Sequence, residues 1–134
     1  MMPLLFLAAA SADLDALDRA VAHCDRAVSN PVFSAESSRR AQFLLDAYRQ
    51  QEAIVNDRLA IADERRTLRE TADMKPVEVK LSEKQLDLQQ ANLDDRQKAL
   101  NDKRMLEGIR EDATDSMRRY FLSNCPAGAT EKGK

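Results

Sequence analysis

Apolar side chains first fall into a helical rhythm at Leu14, Leu17, Val21, Cys24 and Val28, at steps alternating between three and four. That is one stripe on a helix, predicted from about Asp13 to Ser29, with Asp13, Asp15 and Asp18 in its first turns, where the helix dipole favours acids. Asn30-Pro31 is read as its stop. A second helix is expected after Ser34 as N-cap, with Glu36 in its first turn. Neither Pro nor Gly follows Pro31 until Pro76, so about 40 residues can stay helical there, and the break falls in Met74–Val79. A third helix is predicted from Leu81-Ser82-Glu83-Lys84-Gln85-Leu86, with Ser82 and Gln85 as a capping box and Leu81 and Leu86 as a hydrophobic staple. It runs to about Ser123, before Asn124-Cys125-Pro126, and carries Gly108 at a cost of about 1 kcal/mol relative to Ala.

The two long helices each have a face to bury and a short connection, so they fold back on one another. Ile54, Ile61 and Leu68 recur every seven residues on one, and Leu86, Leu93 and Leu100 on the other. Pairing Leu68 with Leu86, Ile61 with Leu93 and Ile54 with Leu100 gives the same total of residue numbers each time, as an antiparallel coiled-coil hairpin requires. The same total pairs Tyr48 with Leu106 and Leu45 with Ile109. Between these layers the seam is polar: Gln51, Arg58 and Arg65 face the neighbourhoods of Lys103–Arg104, Arg96–Gln97 and Gln89–Gln90. Long polar side chains there fix register while adding little stability. Phe33, Phe43, Tyr48, Tyr120 and Phe121 all fall toward the open end, beside the first helix and the cysteines. The expectation is an all-α fold, a short N-terminal helix packed on a long antiparallel two-helix coiled-coil hairpin, forming a single domain over residues 13–126. The base is solid, the arm thin.

Composition agrees with long helices. Hydrophobic residues make up 43% of the 134 residues and charged residues 33%, with no Trp and only three Gly. Residues 1–12 differ from the rest. Leu4–Ala10 is apolar, Ala10-Ser11-Ala12 is an A-x-A cleavage site, and charges begin at Asp13, so a signal peptide over 1–12 is expected. Its brevity and the absence of Lys or Arg are departures from that pattern. No stretch approaches the roughly 20 apolar residues of a membrane span, so no membrane insertion is expected after cleavage. The small polar stretch 127–134 reads as a disordered tail. Export, to a bacterial periplasm or beyond, suits two cysteines, which in an oxidising compartment pair as a Cys24–Cys125 disulfide. One geometric tension attends that bond. A first helix lying straight along the second sets Cys24 level with about Asp115, too far from Cys125 to bond, so the helix must cross, the Leu122–Cys125 segment must fold back, or the bond is intermolecular.

Chemistry-bearing patterns are few. His23 and Cys24, with Cys125 near them, are the remote candidates for a metal site, yet neighbouring helix positions point about 100° apart. Asp15–Arg19, Glu36–Arg40, Asp94–Lys98 and Asp115–Arg119 are acid-to-base pairs on a solvated face. No phosphate loop, H-E-x-x-H or G-x-S-x-G occurs, so no enzyme activity and no cofactor is expected. Net charge is −2 with both signs interleaved, which makes nucleic acid a poor partner. Leu81-Ser82-Glu83-Lys84-Gln85 resembles the L-T-x-x-Q motif of Spy-type periplasmic stress proteins, exported helical hairpins that bind unfolded clients. Ser stands for Thr and one copy is present where that family carries two, and a capping box yields the same five residues, so no family is assigned. The reading that remains is an exported protein-binding module, chaperone- or adaptor-like, working through the arm. The alternative is a self-associating coiled-coil spacer or scaffold.

Overall fold

The computed structural model describes residues 14–71 and 76–126. The expected signal peptide, the 127–134 tail and residues 74–75 of the predicted break lie outside the described residues. The fold is all-α: α1 spans 14–22, α2 runs Arg26–Glu70 and α3 runs Pro76–Asn124, and no strand occurs among the described residues. α2 and α3 pack on each other as a helical hairpin, with the short α1 against them. The chain divides into two compact units, a terminal unit of Met1–Ala41 with Glu107–Lys134 and a hairpin unit of Gln42–Leu106.

Three boundaries differ from the sequence reading, and each has a local cause. α1 stops seven residues before Ser29, in a left-handed C-terminal turn. The amide of Cys24 donates to the carbonyl of Val21 (3.2 Å) and that of Asp25 to the carbonyl of Ala20 (2.8 Å). Those two bonds make a Schellman motif, and Cys24 takes its left-handed position with φ 54°. Second, α2 starts at Arg26 rather than after Ser34. Asp25 is the N-cap: its Oδ1 accepts from the Val28 amide at 3.3 Å, and its carbonyl accepts from Ser29. Pro31 therefore sits inside α2, where it removes one helix hydrogen bond. Burial offsets that loss, because Ser29, Val32, Phe33 and Glu36 continue one inward face through the proline. Third, α3 starts at Pro76, whose fixed φ suits the first helical position, with Glu78 in the first turn. Ser82 and Gln85 are thus interior helix positions, not a cap, and Leu81 is exposed rather than stapled to Leu86.

In the hairpin unit, Ala47, Ile54 and Leu100 form one buried cluster, with Phe43 against it. Ile61, Leu86 and Leu93 form another, with Leu68 partly buried beside them. The layers 54 with 100 and 61 with 93 are those of the expected register. Beyond them the expected pairs are not formed: Tyr48, Leu106, Leu45 and Ile109 are all exposed. The reason is angular. Six residues from Ile54 or Leu100 turns the helix about 120° off the seam, whereas seven returns to within about 20° of it. The seam therefore continues through Ala47 on α2, and on α3 through Glu107, Thr114 and Phe121, every one of them buried.

Candidate functional site

The terminal unit is built on α1, the start of α2 and the end of α3. Leu17, Val21, Phe121 and Cys125 are its buried core, with Cys24, Val32, Phe33 and Met117 packed against them. Phe33 and Phe121 meet at 5.7 Å between ring centroids. Of the five aromatics expected here, these two are in this core. Phe43 belongs to the hairpin unit, and Tyr48 and Tyr120 are exposed.

Cys24 and Cys125 form an intramolecular disulfide with Cα atoms 5.4 Å apart. The offset expected of a straight first helix does not arise, because α1 ends before Cys24 and the chain reverses there. Arg26 reinforces the junction. Its Nη2 donates to the carbonyls of Cys125 and Pro126, each at 2.6 Å, and its guanidinium lies 5.4 Å from the Phe121 ring centroid. A cation thereby meets the carbonyl end of α3, where the helix dipole favours it. His23 is exposed beside an oxidised cysteine, and among the described residues no group of three or more His, Cys, Asp or Glu is placed to hold a metal ion.

The same unit holds a charge network that surface patterning did not reveal. Glu36 and Glu107 are only 8% and 9% exposed. Arg39 binds Glu107 through both terminal nitrogens, at 3.0 and 2.6 Å, and Glu36 at 3.1 and 2.8 Å. Arg40 reaches Glu36 at 2.9 Å and Asp115 at 2.8 Å, and Arg110 Nη1 lies 3.5 Å from Glu36. Thus Glu36–Arg40 is a part-buried contact within a network, and Asp115 bonds Arg40 where sequence spacing suggested Arg119. The signal was the seven-residue step from Leu100, which lands on Glu107.

Burial raises the Glu36 pKa, but the hydrogen bonds from Arg39 and Arg40 and the charges of Arg39 and Arg110 outweigh it, bringing the carboxyl from 4.5 to about 2. Its folded pKa lies below its unfolded one, so its contribution is complete above about pH 4.5 and is lost as the pH falls toward about 2. Across that window wild-type stability should drop by about 2 kcal/mol more than that of Glu36→Gln. Urea unfolding at stepped pH reads this, and parallel pH profiles for the two proteins would refute it. At neutral pH the variant should be less stable, since it leaves Arg39 and Arg110 short of a buried counter-charge.

In the hairpin unit the seam is polar as expected, but its partners lie elsewhere. Gln51 and Gln97 exchange amide hydrogen bonds at 2.7 and 2.8 Å, Arg58 meets Asp94 at 3.1 Å, and Arg65 meets Asp87 at 2.8 Å. Arg58 and Arg65 find acids two to three residues from the positions first expected opposite them, and Gln51 pairs with a neutral amide. An open groove of about 400 Å³ lies between Ile61, Leu88 and Leu93, rimmed by Asp57, Glu64 and Arg96. On α2, Leu44, Tyr48, Val55 and Leu59 are 62%, 64%, 45% and 60% exposed. At about 100° per residue they fall within about 60° of one another, roughly a right angle from the seam. Single exposed apolar residues are ordinary, whereas here four share one face of the helix.

No protein-family model, curated protein or solved structure matches this chain. Among the described residues no helix is long and apolar enough to cross a membrane. The disulfide is compatible with an oxidising compartment outside the cytoplasm.

Proposed function

We propose that the protein is an exported protein-binding module, chaperone- or adaptor-like, that engages other polypeptides through its hairpin unit. The observation carrying this reading is the aligned row Leu44, Tyr48, Val55 and Leu59 on α2. α2 already satisfies its packing through Ala47, Ile54 and Ile61, so the row is not needed for the hairpin's own interior. Burying such side chains is worth roughly 1.5–3 kcal/mol each, enough for a few to hold an extended or helical partner reversibly. The disulfide supports the periplasmic setting, where a thiol pair persists oxidised.

The test is light scattering as a urea-denatured envelope protein is diluted into buffer with and without the purified protein. Wild type is expected to slow aggregation, and Tyr48→Glu to lose that effect at unchanged helix content, because Tyr48 is exposed. If wild type gives no protection, or the variant protects equally well, the reading fails.

A further inference from the structure

The two sulfurs of the disulfide are placed unequally. Cys125 is 4% exposed, belongs to the core with Leu17, Val21 and Phe121, and has its Sγ 3.8 Å from the Val21 carbonyl oxygen. Cys24 is only partly buried, between the exposed residues His23 and Asp25, and has its Sγ 3.7 Å from the carbonyl oxygen of exposed Asn124. Cys24 also carries the left-handed φ of 54°, which costs a residue with a Cβ and persists only where the surroundings impose it. A thiolate attacks the sulfur it can reach, and exposed or strained disulfides are the ones that exchange. A second contact holds the two ends together without the bond. Arg26, close along the chain to Cys24, donates to the carbonyls of Cys125 and Pro126, each at 2.6 Å.

From this we infer that the disulfide is a thiol-exchange site of the folded protein, entered by a small thiolate at Cys24, with Cys125 as the buried leaving and resolving thiol. The incoming thiolate bonds to Cys24 Sγ, the Sγ–Sγ bond breaks, and its electron pair leaves on Cys125, which takes a proton from water. A second thiolate then displaces Cys24 from the mixed disulfide. Both cysteines end reduced, and the two reagent thiols end joined as a disulfide. Where no second thiolate arrives, Cys125 loses its proton again, attacks Cys24 and expels the first. That return is fast because the Arg26 bonds keep Cys125 and Pro126 against the start of α2, within reach of Cys24. The partial burial of Cys24 admits a small thiol more readily than the cysteine of a folded partner. The site lies in the terminal unit and does not rest on the docking surface of the hairpin unit.

The full oxidised chain is treated briefly with glutathione, the reaction is stopped with acid, and mass spectrometry locates the adduct. Glutathione is expected on Cys24 about tenfold more often than on Cys125, and on the two about equally when the protein is first unfolded in urea. Equal labelling in the folded protein, labelling chiefly at Cys125, or no adduct at all overturns the inference. The rate of reduction by dithiothreitol separates exchange in the folded state from exchange through unfolding. It is expected to rise linearly with thiolate and to change less than about twofold in urea held well below the unfolding midpoint. A steep acceleration by that urea would show a structural bond reached only by opening the fold, and overturns the site. In a glutathione redox buffer Arg26→Gln should re-form the bond about tenfold more slowly than wild type at unchanged helix content, since the pair is no longer held together. Equal rates overturn Cys125 as a held resolving thiol.

Discussion

Replacing Ile61 with Asp should unfold the hairpin unit while the terminal unit stays folded. Ile61 is 4% exposed and packs with Leu86 and Leu93, one of two apolar clusters of that unit among the described residues. Removing it forfeits the packing of a buried aliphatic, a loss of about 2–5 kcal/mol in ordinary cores. The aspartate must further be buried as an unpaired charge or be pulled out with its whole layer. The nearest cations, Arg58, Arg65 and Arg96, already serve Asp94, Asp87 and Asp57. Two thin clusters cannot absorb that loss, since natural domains hold only about 5–15 kcal/mol of net stability in all. Thermal unfolding followed by far-ultraviolet circular dichroism should therefore show a large early loss of helix and a later transition near the wild-type temperature. The later step reports the terminal unit, held by its own aromatic pair, charge network and disulfide. A single cooperative transition at the wild-type temperature would mean that Ile61 does not sit in the layer described.

Reduction of the disulfide should be the larger change for the terminal unit. Cys24 and Cys125 are 101 residues apart in sequence, and the chain-entropy account gives a cross-link of that span about 4–5 kcal/mol. α1 is only nine residues long, too short to persist as an isolated helix. Its burial rests on Leu17, Ala20 and Val21. Adding reductant, or making Cys125→Ser, should lower the unfolding temperature and bring the amides of residues 14–22 to rapid hydrogen exchange. A backbone effect separates from the bond itself. Cys24 holds φ 54°, which costs a residue with a Cβ roughly 1–2 kcal/mol and glycine almost nothing. Cys24→Gly and Cys24→Ala both lose the bond, yet the glycine variant should be the more stable by about 1 kcal/mol. Equal stabilities would show that the turn relaxes once the sulfur link is gone, and an unchanged unfolding temperature on reduction would remove the disulfide from the protein's main supports.

The long helices and the central layers were legible because they depend on local periodicity. A seven-residue apolar step on both helices is enough to set Ile54 against Leu100 and Ile61 against Leu93, whatever else the chain does. The pairing of the two cysteines was legible for a simpler reason, since a chain with two cysteines has one internal pair to form. The helix starts were not. A capping box at Ser82 and a proline at residue 31 are strong local signals, but both were overridden. Pro76 can begin a helix as well as Ser82 can cap one, and the buried face through Ser29, Phe33 and Glu36 outweighs one lost backbone hydrogen bond.

By itself, then, the sequence determined the helical class, the antiparallel hairpin and its central apolar layers, because each follows from spacing along one chain, while the left-handed turn at Cys24 is what brings the disulfide within one chain. Only the tertiary structure decided which charges are buried. Glu36, Arg39 and Arg40 look like a surface run, and they become a part-buried network because Glu107, Arg110 and Asp115 arrive from α3 at the same level. It also decided that α2 turns Leu44, Tyr48, Val55 and Leu59 outward, since the seam selects one face of a helix that is apolar on two. Which of two such faces is buried depends on the partner helix, and that choice is not encoded in the spacing of either face alone.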